Sequence, residues 1–231
     1  MAIPSNLTVT PFEGNGNTTI SIISKTKPTG RNDVTSSITG KIVGQSNSVT
    51  INVTEKGKAE FVTFSGKDKT VHVGENGETI EITGTSNSSK LTFSWSTNEI
   101  GIPNVTSFTV NSDTSATSGT AITGDPGATA QYTFKVSIVV PKNNTTDNRD
   151  SVLKVTCNTT SITDNFTISQ MAGAAYLYLN SIGTTTASIT IPQEGTSQTV
   201  NVLSNTDWTF DFFINKSSFQ SVICNQYKKR T

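Results

Sequence analysis

The sequence predicts an all-β protein built from repeated modules, and three observations lead to this prediction. Short segments alternate apolar and polar residues, which is the period of a β-strand with one buried face. Clusters of Gly, Asn, Asp and Ser such as "GENGE" and "KNNTTDNRD" separate these segments. Two longer sequence units recur along the chain, and no segment shows a convincing helical period.

Five segments carry the clearest strand pattern. In each of them Val, Ile or Phe falls on one face while Thr, Ser, Asn or Lys falls mainly on the other. They are residues 18–24, 48–55, 79–84, 132–140 and 198–203.

The first recurring unit is an acid and glycine turn followed by a strand that begins with Thr. It starts near Glu13, Glu75 and Glu194. The last two copies continue alike, because "TSNSSKLTFSW" in residues 85–95 parallels "LSNTDWTFDF" in residues 203–212.

The second unit is a strand, a short turn with glycine and a new apolar strand. It occupies residues 50–64 and 166–179, and Arg31 and Arg149 precede it as apparent counterparts. Together the units divide the chain into a partial module over residues 1–58, a complete module over 59–173 and a second partial module over 174–231. The first partial module corresponds to the C-terminal half of the repeat, and the last to its N-terminal half.

These units resemble the BACON domain family, whose pattern includes an acid and glycine turn, a Val-x-Val strand, "SNT-x-W" and a closing "Ile-x-Val-x-Gln-x-Gly". The match is good from Glu194 to Phe210, including Ser204, Asn205 and Trp208. Leu91 stands where the middle copy would have the tryptophan, and Glu55 replaces the closing glutamine that Gln170 keeps. The resemblance implies tandem immunoglobulin-like β-sandwich modules.

The same resemblance implies two settings, since BACON-like domains occur in secreted gut bacterial proteins and in virion proteins of crAss-like bacteriophages. The N-terminal "MAIPSNLTVTPFEG" has no basic segment followed by an apolar run, so we expect no secretory signal. That favours a virion protein assembled in the host cytoplasm, with an extracellular location as the alternative.

Aromatic residues at alternating positions are expected to fill the core of the sandwich. Alternation predicts one shared face for each of two sets: Trp208, Phe210 and Phe212, and Leu91, Phe93 and Trp95. The alternative is that Trp95 and Trp208 face solvent and stack on sugars, which would make them the candidate glycan-binding residues.

No catalytic, cofactor or metal site is expected from the sequence. His72 is the single histidine and is predicted to lie on a strand surface, without a Cys or Ser motif beside it. The acidic residues of "DNRD" lack the spacing of a calcium loop. Cys157 and Cys224 are too few for a disulfide framework and are expected to be buried or half-buried free thiols.

Composition also restricts the partners. The chain has 17 basic and 17 acidic residues, so we expect no nucleic-acid binding. No stretch is apolar for the roughly 20 residues that cross a bilayer, so we expect no membrane insertion.

The expected function is a virion accessory protein of the capsid-decoration or head-fibre type, not an enzyme, with other virion proteins or copies of itself as partners. A carbohydrate- or mucin-binding adhesion module is the alternative. The unfinished modules could be completed within one chain, between chains, or by docking on a larger surface.

Overall fold

The computed structural model describes residues 4–112 and 114–211, and within these ranges the chain is an all-β protein. Its contacts divide the chain into two compact units, Met1–Ala174 and Ala175–Thr231. The predicted strands at residues 48–55 and 132–140 are confirmed at both ends, and the one predicted at 79–84 is observed as Glu78–Ser86. The three-module division stays a prediction.

The first unit begins with two antiparallel hairpins. The first hairpin pairs β1 (Leu7–Thr10) with β2 (Ser21–Ser24). The second hairpin pairs β3 (Val34–Lys41) with β4 (Ser48–Glu55). Leu7 and Ile38 are the buried apolar residues of this part, whereas many of the other Val and Ile side chains stay exposed.

A nine-stranded sandwich follows in the same unit. In chain order its strands are β5 (Val62–Phe64), β6 (Thr70–Val73), β7 (Glu78–Ser86), β8 (Leu91–Asn98), β9 (Ser107–Val110), β10 (Thr114–Thr117), β11 (Tyr132–Val140), β12 (Arg149–Cys157) and β13 (Thr163–Gln170). One sheet has the order β10-β9-β11-β7-β5 and the other β6-β13-β12-β8. Only the β6–β13 pair among them is parallel. A short 3-10 helix, Pro126–Ala128, precedes β11.

The two sheets enclose one hydrophobic core in which aromatic rings meet edge to face. Phe134 contacts Phe64 and Phe93, with ring centroids 5.7 and 5.8 Å apart. Gly84 makes room for this cluster, because a Cβ at Gly84 would lie 2.2 Å from the Phe134 ring. The core therefore depends on a few large rings and one glycine, which suits a chain with only 32% hydrophobic residues.

The second unit contains one antiparallel pair in its described part, β14 (Leu177–Leu179) with β15 (Val202–Ser204). The strand predicted over residues 198–203 is thus shorter and shifted. Tyr176 and Tyr178 stack on each other with ring centroids 5.4 Å apart.

Candidate functional site

A hydrogen-bonded turn, which we call the Ser-Asn clasp, closes the first strand pair of the sandwich. The Ser86 hydroxyl donates to the Phe61 carbonyl at 2.7 Å, and the Asn87 side-chain oxygen accepts from the Phe61 N–H at 2.9 Å. Both Ser86 and Asn87 are fully buried. The clasp fixes where the chain turns from β7 towards β8.

The second unit repeats this clasp with the same atoms. The Ser204 hydroxyl donates to the Tyr176 carbonyl at 2.9 Å, and the Asn205 side-chain oxygen accepts from the Tyr176 N–H at 3.0 Å. The register agrees as well, because Leu177 pairs with Ser204 as Val62 pairs with Ser86. The predicted relation between the two "Ser-Asn" segments is therefore a shared local structure.

A reduced form of the clasp occurs at the start of the chain, where no "Ser-Asn" pair predicted it. Ser24 pairs with Leu7 in the same register, and its hydroxyl donates to the Thr26 carbonyl at 2.7 Å. Lys25 follows where the other copies have asparagine, and its backbone N–H donates to the Asn6 carbonyl at 2.8 Å. All three segments thus open with the same strand pair.

A dense joint connects the N-terminal hairpins to the sandwich within the first unit. The Arg31 guanidinium pairs with the Asp125 carboxylate, and its Nε donates to the Asn87 carbonyl at 2.6 Å. The Arg31 backbone N–H donates to the Gly127 carbonyl at 3.0 Å. A Cβ at Gly127 would lie 2.1 Å from the Asn87 carbonyl oxygen, so only glycine permits this close approach.

The linker between the hairpins and the sandwich belongs to the same joint. The Asn87 side-chain amide donates to the carbonyls of Lys58 and Ala59 at 3.2 Å each. The Lys58 N–H donates to the Gly30 carbonyl at 2.8 Å. Asn87 therefore forms hydrogen bonds both to the first strand pair of the sandwich and to the linker that precedes it.

The closing hairpins of the first two segments are equivalent, and their register corrects one prediction. Residues 34–55 and 149–170 align without insertion, with Val34 opposite Glu55 where Arg149 lies opposite Gln170. Arg31 is therefore not the counterpart of Arg149. Arg149 donates to the Gln170 side chain at 2.8 Å within its own hairpin, whereas Arg31 reaches the next module.

The two candidate glycan-stacking residues lie in different environments. Trp95 is partly buried against the core, and its Nε1 donates to the Pro103 carbonyl at 3.2 Å. Leu91 and Phe93 share its face and are buried, as predicted. Trp208 is 46% exposed and Phe210 is 48% exposed, with ring centroids 4.9 Å apart.

The prediction that Trp208 and Phe210 fill a core is wrong for the described chain. In the sandwich the equivalent strand faces a second sheet, whereas the described part of the second unit has only β14 and β15. Without an opposing sheet, alternation puts the rings on one face but does not bury them. Phe212, the third residue of the predicted set, lies outside the described residues.

The histidine, the cysteines and the acidic residues were considered above as candidates for a metal site or for reactive groups. His72 lies exposed on β6, as predicted, and no group of three or more His, Cys, Asp or Glu side chains is placed to hold a metal ion in residues 4–112 and 114–211. Cys157 is a buried free thiol, and burial raises its pKa to about 11. Cys224 lies outside the described residues. In the same part of the chain, no helix has the length and apolar character of a membrane span.

Charged side chains inside the first unit act within the fold. The Asp164 carboxylate on β13 accepts bonds from Lys69 at 2.6 Å and from the Phe64 N–H of the facing sheet at 2.7 Å. Burial alone would raise the Asp164 pKa, but these bonds outweigh it and the pKa is lowered. Asp164 therefore links the two sheets of the sandwich.

Comparison with known proteins identifies no family. No protein-family model matches the chain, and no curated protein matches it. The chain is similar to a solved structure described as an NMR structure of a protein from Bacteroides thetaiotaomicron, with 14% identity over 51% of this chain and 92% of that one and a TM-score of 0.25.

Proposed function

We propose that this protein is a structural accessory protein of a bacteriophage virion, of the capsid-decoration or head-fibre type, built from immunoglobulin-like modules. The observation that carries the proposal is the joint at Arg31, Asn87 and Gly127, which connects successive modules through partly buried hydrogen bonds to backbone groups. A joint of this kind suits a spacer or fibre, whose role is to hold modules in a fixed series. The BACON-like sequence pattern supports the phage setting.

The arrangement of the chain through the sandwich also supports a role as a spacer. The N-terminal hairpins join it beside Asn87, next to the Tyr132 end of β11. The chain leaves at Gln170, whose side chain donates to the Pro141 carbonyl beyond the Val140 end of that strand. Entry and exit are thus separated by the nine residues of β11, which span about 30 Å.

Association with virions tests the proposal. Purified protein should co-sediment with capsids of a crAss-like phage and should be detected by mass spectrometry in virions banded on a density gradient. Neighbouring capsid and portal genes would agree with that result. Absence from purified virions, together with no binding to capsids, would refute the proposal.

The second candidate function is glycan binding, and the exposed Trp208–Phe210 pair favours it. Exposed aromatic faces are the surfaces on which sugar rings stack, and Trp95 exposes less of its ring than Trp208 because it is partly buried against the core. On this function, Trp208→Ala would abolish binding on a glycan array, whereas the control Ile191→Ala would preserve it. Ile191 is also an exposed apolar residue of the second unit.

A further inference from the structure

Positions that the sandwich buries are exposed in the N-terminal hairpins and in the described part of the second unit. Leu91, Phe93 and Cys157 have exposed fractions of 0%, 5% and 1%. Their counterparts by sequence and register are Trp208, Phe210 and Ile42, which have exposed fractions of 46%, 48% and 60%. The same repeat position thus carries an apolar side chain in both cases, but only the complete module covers it.

The sandwich shows what covers these positions. β8 pairs antiparallel with β12, so that Leu91 lies opposite Cys157 and Phe93 opposite Val155. Since residues 34–55 align with 149–170 without insertion, the positions of Val155 and Cys157 correspond to Gly40 and Ile42. Residues 4–58 contain no counterparts of several sandwich strands, and β8 is the one whose counterpart would pair with β3.

The chain contains both segments that could form an equivalent of the β8–β12 pair. β3 belongs to a two-stranded sheet and pairs only with β4 in the described ranges, so its other edge is open. Residues 207–211 follow the clasp of the second unit as β8 follows the clasp of the sandwich, yet they are not in a strand. An open edge and an extended apolar segment are the two components of strand addition.

We propose that residues 207–211 of one copy add to the free edge of β3 in a second copy. In the register of β8 and β12, Trp208 lies opposite Ile42 and Phe210 opposite Gly40. The large rings then cover the inner face of the hairpin, and the glycine leaves room for the phenyl ring.

Charges on the outer face fit this register. Thr209 lies opposite Lys41, and the two neighbouring outward residues of the added strand are Asp207 and Asp211. Side chains two positions apart on facing strands are diagonal neighbours, so Lys41 lies within reach of both carboxylates. A shift by one residue would turn both aromatic rings outward and lose this complementarity.

The reach of the chain favours a second copy over closure within one molecule. Residues 207–211 begin close to Tyr176, because Asn205 bonds to the Tyr176 N–H. The stretch from Gln170 to Tyr176 spans at most about 20 Å when fully extended. The joint with the N-terminal hairpins lies the length of β11 away from Gln170, about 30 Å. Gly40 and Ile42 lie at the other end of β3 from this joint, so the few residues between Tyr176's partner Asn205 and Phe210 do not make up the difference.

The contact joins two different surfaces, since the donor segment is C-terminal and the acceptor edge is N-terminal. Each copy can therefore give one strand and accept another, which produces head-to-tail strings or rings. The inference goes beyond the proposed function and does not depend on it.

Cysteine cross-linking between two separately purified variants tests the proposal. Lys41→Cys and Thr209→Cys place thiols at directly opposed, exposed positions whose Cα separation would suit a disulfide. Both variants carry Cys224→Ser, and Cys157 stays because it is buried. The control replaces Lys41→Cys by Asn52→Cys, an exposed position on β4, the strand of the hairpin that the proposed contact does not use.

We expect mild oxidation of the mixture to give a covalent dimer with Lys41→Cys and little with Asn52→Cys. Equal yields in both mixtures, or no dimer in either, would overturn the proposal. A chain that carries both Lys41→Cys and Thr209→Cys and closes within itself at high dilution would overturn it too, because completion would then be intramolecular.

A matched pair of charge substitutions provides a second measurement. Ile42→Lys puts a charge opposite Trp208, whereas Val43→Lys puts the same charge on a turn residue that is 99% exposed. In sedimentation velocity, Ile42→Lys should weaken self-association about tenfold or more, and Val43→Lys should not. Equal effects would contradict the register.

Virion binding without cross-linking would overturn only this inference, whereas cross-linking without virion binding would overturn only the proposed function.

Discussion

The side-chain oxygen of Asn87 accepts a 2.9 Å hydrogen bond from the backbone N–H of Phe61. This bond ties the start of β5 to the turn after β7, and its equivalent recurs between Asn205 and Tyr176 at 3.0 Å. Removal of a buried amide that bonds to backbone groups is destabilising. Each buried backbone group left without a partner lowers the free energy of unfolding by about 1–3 kcal/mol. The sandwich is therefore stabilised by a polar clasp as well as by its apolar core, and the clasp recurs in the second unit.

Replacing Asn87 by alanine should destabilise the first unit by about 2–4 kcal/mol, because the Phe61 N–H and the carbonyls of Lys58 and Ala59 lose their partner. Chemical denaturation measures the change. Asn104→Ala, at an exposed position, is the control and should change the free energy of unfolding by less than about 0.5 kcal/mol. Similar values for the two variants would contradict the role of the clasp.

Loss of the Arg31–Asp125 ion pair should increase the local opening of the joint, with only a small decrease in the free energy of unfolding of the whole protein. The two side chains are 25% and 42% exposed, so we expect a coupling energy of about 1 kcal/mol in a double-mutant cycle of Arg31→Gln with Asp125→Asn. Endoproteinase Lys-C should cleave after Lys56 and Lys58 faster in Arg31→Gln than in the wild type, and this substitution adds no lysine to the joint. An unchanged cleavage rate would show that the pair does not hold the joint.

The stabilising effect of Asp164 should depend on pH. Its folded pKa lies below the ordinary value of 3.8, so the stabilisation is complete above that value and is lost as the pH falls through the folded pKa. Asp164→Asn should reduce stability by about 1–2 kcal/mol at pH 7. The difference from the wild type should shrink below pH 3.8.

The control for this pH dependence is the surface pair of Glu81 with Lys135, whose side chains are 59% and 40% exposed. Glu81→Gln should have little effect at any pH. A difference between Asp164→Asn and the wild type that stays constant from pH 7 to below 3.8 would contradict the account of Asp164.

Cys157 should be chemically inert in the folded protein, because its thiol is buried and its raised pKa leaves little thiolate at pH 8. In a Cys224→Ser background, a disulfide reagent should label Cys157 only after the protein is denatured. Rapid labelling under native conditions would show that the Cys157 end of β12 opens readily.

The alternation of residues predicted much of the sandwich but not the contacts between its repeats. It located β4 and β11 at both ends because Val and Ile alternate with polar residues throughout them. Alternation predicted a strand over residues 198–203, which is longer than β15 as observed. Only the residues opposite the short strand β14 can pair. The predicted correspondence of Arg31 with Arg149 was wrong because a shared residue type does not determine strand register. The pairing of Val34 with Glu55 shows that Val34, not Arg31, is the counterpart of Arg149.

The candidate site was harder to predict for a related physical reason. The repeated "Ser-Asn" pair was visible in the sequence, but its partners are backbone groups, which leave no sequence signal. Alternation placed Trp208 and Phe210 on one face, whereas their burial depends on an opposing sheet that the described part of the second unit does not contain. Their exposure is the feature from which the strand-addition proposal follows.

The emission of Trp208 tests most directly whether a second copy completes the unfinished modules. The difference between wild-type and Trp208→Phe fluorescence isolates this residue from Trp95, and it can be followed from dilute to concentrated protein while light scattering reports size. Our account predicts a blue shift that rises with the mass of the assembly and disappears in Ile42→Lys. A difference spectrum that stays that of a solvent-exposed indole while the protein assembles, or a monomer at every concentration, would contradict it.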